Sequence, residues 1–160
     1  MPHTQHEKLG GQNVAAFLDM LSIAEGTDIP RQPTKCRGYD VLVGGELFTD
    51  FSRHPNKLVA LNRVLYSTAA GRYQFLHRTW AELQRMLKLP DFGPESQDLA
   101  AVALLKRRKA YELVRAGKFD DAVHRCRKEW ASLPGAGYAQ HEQKIERLRA
   151  AYLNAGGTIA

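Results

Sequence analysis

Long apolar runs are missing from this chain of 160 residues. No stretch approaches the ~20 consecutive apolar residues that a membrane-spanning helix needs, so the sequence is read without stable membrane insertion. The opening residues Met1 to Asn13 are polar, with His3, His6, Gly10 and Gly11, and lack the apolar segment of a secretion signal. That points to synthesis in the cytoplasm. Cysteine is scarce: Cys36 and Cys126 stand 90 positions apart, with no CxxC pair, and the six histidines are scattered. A disulfide framework and a structural zinc site are thereby excluded, and the two cysteines are read as reduced thiols. Neither a metal nor a cofactor is assigned. There is no internal repeat and no low-complexity tract. Acidic side chains are the minority charge, 17 against 23 basic ones, which gives a net charge of +6 and favours polyanionic surroundings. With 44% apolar and 25% charged residues the composition is far from that of disordered chains.

What is present is helical periodicity. Residues 1–12 read as a flexible tail, and 13–160 as a single domain. Asn13 stands as an N-cap before Val14, Phe17, Leu18 and Leu21, which share one face of a helix that Gly26 stops. From Gly38, the alternation of Tyr39, Val41 and Val43, then Gly44-Gly45, then Glu46 to Thr49, predicts a β-hairpin. Residues 52–66 have weak periodicity and are left unassigned. A helix is expected from after Gly71 to Leu89, carrying Phe75, Trp80 and Leu83, with Pro90 ending it. Further helices are expected over 99–115, 120–132 and 142–154, with a Pro134 to Gly137 loop between the last two. The fold class is α+β, mainly helical, with one small hairpin.

Glu25 is the residue with the clearest chemical potential. Extending the first helix by its own period places it beside the apolar stripe and in the last turn. Partial desolvation and the negative end of the helix dipole both disfavour its anion. A carboxyl with a raised pKa is what a general acid near neutral pH requires.

The surrounding blocks carry a resemblance. Ala16 to Asp28 (AFLDMLSIAEGTD), Gly38 to Asp50 (GYDVLVGGELFTD), Ser67 to Gln74 (STAAGRYQ) and Trp130 to Tyr138 (WASLPGAGY) resemble, in the same order, the lambda-type phage endolysins. The resemblance implies a lysozyme-like fold and lytic transglycosylase activity on peptidoglycan, with Glu25 as the catalytic acid. It implies cleavage of the β-1,4 bond between N-acetylmuramic acid and N-acetylglucosamine, with a 1,6-anhydro product and no second, water-activating carboxylate. It also implies a monomer that waits in the host cytoplasm, reaches the wall once a separate holin opens the membrane, and takes glycan strands as its partner.

Gly71, Arg72, Tyr73 and Gln74 resemble the family motif that lines the cleft. Glycine permits close approach of backbone to sugar, and a side-chain amide both donates and accepts. Tyr138 matches a position on the opposite lip, where a ring can stack on a pyranose. These five are the expected substrate contacts. Asp28, Asp40, Glu46 and Asp50 lie near the hairpin but each suits a turn, a cap or a solvated position. Trp80, Trp130, Phe17 and Phe75 fit the core, and the basic run Lys106 to Lys109 fits a solvated helix face. The rival readings are a hydrolytic lysozyme of the same fold and an inactive wall-binding module. A nucleic-acid binder lacks any accompanying motif.

Overall fold

The computed structural model describes residues 1–137 and 142–160. Along the chain come α1 (His6–Leu9), α2 (Gln12–Ala24), β1 (Val59–Ala60), β2 (Tyr66–Ser67), α3 (His77–Leu87), α4 (Pro94–Arg107), α5 (Tyr111–Arg115), α6 (Phe119–Cys126) and α7 (Ile145–Asn154). The result is an α+β architecture: helices around one apolar core, and a small antiparallel sheet with Val59 opposite Ser67 and Ala60 opposite Tyr66. Among the described residues no helix is long and apolar enough to cross a membrane. Cys36 and Cys126 are free thiols.

Helix α2 is the axis of the molecule. The predicted stripe of Val14, Phe17, Leu18 and Leu21 is fully buried, and so are Ala15, Ala16 and Met20 on the other faces. A helix that is apolar nearly all round belongs inside a protein, and α1, α4, α5 and α7 pack about this one. Phe17 meets the rings of Phe119 and Tyr152 edge-on, at 6.0 and 6.4 Å between centroids. Trp80, Trp130 and Phe75 are core residues, as their spacing indicates.

Several expectations are corrected. Residues 1–12 are not a loose tail: they carry α1, bury Leu9 and dock on the body, the Thr4 N–H donating to Asp98 at 2.8 Å. Asn13 lies within α2 rather than capping it. Its side chain instead ties the chain end down, accepting from the Thr158 N–H at 2.9 Å and donating to the Arg115 carbonyl at 3.2 Å. The predicted hairpin at 38–49 makes its glycine turn but pairs only through a single bridge, Val41 to Leu47. The regular strands lie in the unassigned segment, where Asn62 Oδ1 accepts from the N–H groups of Val64 and Leu65 at 2.9 and 2.8 Å and closes the turn. Finally, α3 begins at His77 and not after Gly71, because Ala70 bridges to Phe75 across a tight turn and Gln74 takes a left-handed φ of 52°. The later helices are also shorter than their periodicity: 99–115 divides at Lys109, φ 56°, into α4 and α5, and α6 stops at Cys126.

Candidate active site

A cleft of about 430 Å³ opens between the bridged strands and the helical body. It is lined by Glu25, Val43, Ser67, Ala69, Tyr73 to Leu76, Arg78, Thr79, Leu104 and Lys128 to Ala131. Glu25 enters it from the C-cap of α2. The cap is a complete left-handed stop: Gly26 has φ 73°, its N–H reaches the Ile23 carbonyl at 3.1 Å, and the Thr27 N–H reaches that of Ser22 at 3.0 Å. Two hydrogen bonds and a glycine therefore hold the residue on either side of the carboxylate.

Glu25 is partly exposed to the cleft, yet neighbouring atoms shield its carboxyl from water, and this desolvation pushes its pKa from 4.5 up to about 7. Ser132 works in the opposite direction, its hydroxyl donating to Glu25 Oε1 at 2.5 Å. Desolvation prevails. The carboxyl is thus available as an acid near neutrality, and its anion keeps one good donor. Ser132 is the residue that reasoning from sequence missed. It stands 107 positions from its partner, and a serine in a Trp-Ala-Ser-Leu string carries no signal of such a contact.

The turn Gly71 to Gln74 forms the neighbouring wall, but its members divide. Gly71 is required by space: a Cβ there would sit 2.3 Å from Gln97 Oε1 and 3.0 Å from the Phe92 ring. Arg72 is fully buried and is not a cleft contact. Its guanidinium donates to Asp28 and Asp19, each at 2.6 Å, and to the Arg37 carbonyl, and lies 5.3 Å from the centre of the Tyr39 ring. Tyr73 is likewise buried, its hydroxyl donating to Asp98 at 2.6 Å and its carbonyl accepting the Trp130 indole N–H at 3.0 Å. Arg72 shapes the wall from behind, whereas Tyr73, though buried, is among the residues that line the cleft. Gln74 also lines the cleft, and its amide nitrogen is committed to the carbonyls of Gly71 and Val41 at 2.9 and 3.1 Å, which leaves its oxygen as the atom able to accept. Tyr138 lies outside the described residues.

The four other acids near the hairpin are all engaged away from Glu25. Asp28 holds Arg72, Asp40 accepts from Thr34 and the Lys35 N–H, Glu46 pairs with Lys57 at 2.6 Å, and Asp50 caps the Ser52 N–H at 2.8 Å. One further carboxylate does line the cleft: Glu129, which is paired with Arg108 at 2.8 Å. A second anchor sits beneath the turn. His54 is buried, its Nδ1 accepting from the Asn56 N–H at 3.0 Å while Nε2 donates to the Phe75 carbonyl at 2.7 Å. Burial drives its pKa down to about 4, so the neutral ring is the one that fits.

A helical body, a small sheet, and one shielded glutamic acid at a helix end between them define the lysozyme-like class. A solved bacteriophage lambda lysozyme complexed with a chitohexasaccharide superposes with a TM-score of 0.92 at 52% identity, over 94% of this chain and 97% of that one. A second lambda lysozyme structure gives 0.88 at 51% identity, with the same coverage. Residues 15–159 match the family model Endolysin, and the chain belongs to that family. It is 54% identical to the endolysin of Escherichia phage lambda over 90% of this chain and 91% of that protein. Its identity to the endolysin of Escherichia phage P2 is 48%, over 93% of this chain and 96% of that protein. It is a phage endolysin of lambda type, a cell-wall-degrading enzyme.

Proposed function

We propose that this endolysin is a lytic transglycosylase that cuts the bond between N-acetylmuramic acid and N-acetylglucosamine in peptidoglycan, with Glu25 as its catalytic acid and base. Protonated Glu25 gives its proton to the glycosidic oxygen as the bond to muramoyl C1 breaks. The carboxylate so formed accepts the proton of the same sugar's C6 hydroxyl, whose oxygen closes on C1. The 1,6-anhydro ring forms, the carboxyl is restored, and no water is consumed. The observation that carries this reading is a shielded carboxyl at the end of α2 with a pKa of about 7, suited to giving a proton and taking one back. The paired carboxylates of most glycosidases divide those roles between two residues. Gln74 and Tyr73, which both line the cleft, are the sugar contacts in this reading, and the saccharide bound by the lambda lysozyme supports a glycan in the cleft.

Glu129 favours one alternative, since a second carboxylate in the cleft is what a hydrolytic lysozyme would use. Its ion pair with Arg108 argues against that role, because the guanidinium already takes up the charge. Mass spectrometry of digested peptidoglycan separates the two chemistries. Anhydro-muramic termini are expected, and retained with Glu129→Gln; reducing muramic acid would overturn the transglycosylase reading. The biological setting that goes with it is one catalytic domain, with the docked segment 1–12 part of its body, acting as a monomer. It would be held in the host cytoplasm and released to the periplasm and wall once a holin opens the membrane.

A further inference from the structure

Two tryptophans are buried in this protein, and they use their indole N–H groups differently. That of Trp80 has no hydrogen-bond partner among the described residues, so packing in this core does not by itself demand one. That of Trp130 donates to the Tyr73 carbonyl at 3.0 Å and joins two cleft-lining segments that lie 57 positions apart. The Tyr73 end of this bond is fixed. Its hydroxyl donates to Asp98 at 2.6 Å, and the N–H of Arg72 just before it donates to Gln97 Oε1 at 2.9 Å. Adjacent side chains of α4 thus grip the turn from behind.

The Trp130 end leads to the acid. The Leu133 N–H donates to the Trp130 carbonyl at 3.1 Å and closes a four-residue turn whose third member is Ser132. Ser132 is buried; its hydroxyl donates to Glu25 Oε1 at 2.5 Å, and its carbonyl accepts the Gln143 N–H at 2.7 Å. Burial raises the Glu25 pKa, and Ser132 lowers it through both its hydroxyl and its backbone N–H. The charged groups lining the same cleft are Arg78, Lys128 and Glu129, the last paired with Arg108. A contact made by side chain and backbone together depends on where the turn sits, and the turn begins at Trp130. We propose that Trp130 is a positioning residue for the catalytic acid: its indole N–H, anchored on the Tyr73 carbonyl, fixes the turn that brings the Ser132 hydroxyl to the Glu25 carboxyl. That N–H is spent on a backbone carbonyl, so Trp130 acts through Ser132.

The test follows the Glu25 carboxyl by carbon NMR on the full chain labelled at glutamate, with Glu25→Gln identifying its signal. Trp130→Phe removes the donor and keeps an aromatic ring. Loosening Ser132 withdraws support from the anion, so the Glu25 pKa should rise by about half a unit, and the alkaline limb of the pH–activity profile with it. Trp130→His restores a donor, because imidazole Nε2 stands at the ring position of indole Nε1, but it fills less of the core. It should keep the wild-type Glu25 pKa while having the lower urea midpoint of the two variants. A pKa that does not move in Trp130→Phe, or that follows the urea midpoints across the series, would overturn the proposal. Wild type supplies a readout that needs no variant to fold: the Trp130 indole nitrogen signal should shift as Glu25 titrates near pH 7, while that of Trp80 stays still. A Trp130 signal without this step would also overturn the proposal. The inference rests on the reading of Glu25 as the acid, and the two fail separately. A Glu25 pKa that rises while the alkaline limb of activity stays fixed would support the hold on Ser132 and overturn Glu25 as the acid.

Discussion

Two charged side chains, one at the end of α2 and one in the turn Gly71 to Gln74, have opposite fates. Glu25 is shielded from water and has one side-chain donor, Ser132. Arg72 is buried more completely, yet its charge meets two carboxylates, a backbone carbonyl and an aromatic face. A charge surrounded by partners is fixed in one state, and it serves the architecture. A charge with too few partners is easily neutralised, and it can exchange a proton. The same local chain supplies both environments: Asp19 and Asp28 lie within and just after the α2 segment that presents Glu25.

The contrast can be broken most forcefully at Glu25. Glu25→Gln should lower lytic activity by about 10³-fold, measured by clearing of cell suspensions, without unfolding the protein. A carboxyl whose folded pKa is raised contributes stability below its unfolded pKa of 4.5 and loses it as pH rises through about 7. The glutamine should therefore stabilise the fold at pH 8 by about 2 kcal/mol, read from urea midpoints. Arg72→Met should do the reverse, costing about 3–5 kcal/mol because Asp28 loses its cation and Asp19 keeps only the Met1 ammonium. A stable Arg72→Met protein with a raised KM would return Arg72 to the list of substrate contacts.

Ser132→Ala sharpens the picture with a smaller effect. Removing the donor to the Glu25 anion should raise that pKa by about one further unit. The alkaline limb of the pH–activity profile should move up with it; an unmoved limb would detach Ser132 from the acid. A further effect concerns His54. Its folded pKa is depressed to about 4, so the stability it supplies is complete above the ordinary value of 6.5 and falls as pH drops toward 4. Glu25 changes in the opposite sense between 4.5 and 7, so the two partly cancel in the wild type. Across pH 4–6.5, Glu25→Gln should show a rise in stability of about 2 kcal/mol that the wild type shows only weakly.

How far the sequence could be read follows from how far each feature reaches along the chain. The α2 stripe, its glycine stop and the carboxylate at its end are local facts, decided within thirteen residues of one another, and the structure keeps them. Arg72 is decided by partners 53 and 44 positions away, and Ser132 by one 107 positions away. Such contacts leave no trace in spacing. The β1–β2 strands were illegible for another reason: each has two residues, too short for alternation to register, and a single asparagine side chain closes their turn. The segment 1–12 looked loose because its composition is polar, but its order comes from backbone groups reaching Asp98 and Tyr39.

The missing room at Gly71 has a consequence for anyone wishing to redesign this enzyme. With Gln97 and Phe92 pressed against that backbone, the position has no room for a side chain, and any substitution there must push the wall apart. The tip of the β1–β2 turn is the opposite kind of ground: Val64 is 87% exposed. Grafted loops or retargeting sequences belong there, at the rim, where the scaffold can accept new text without rewriting the line beneath it.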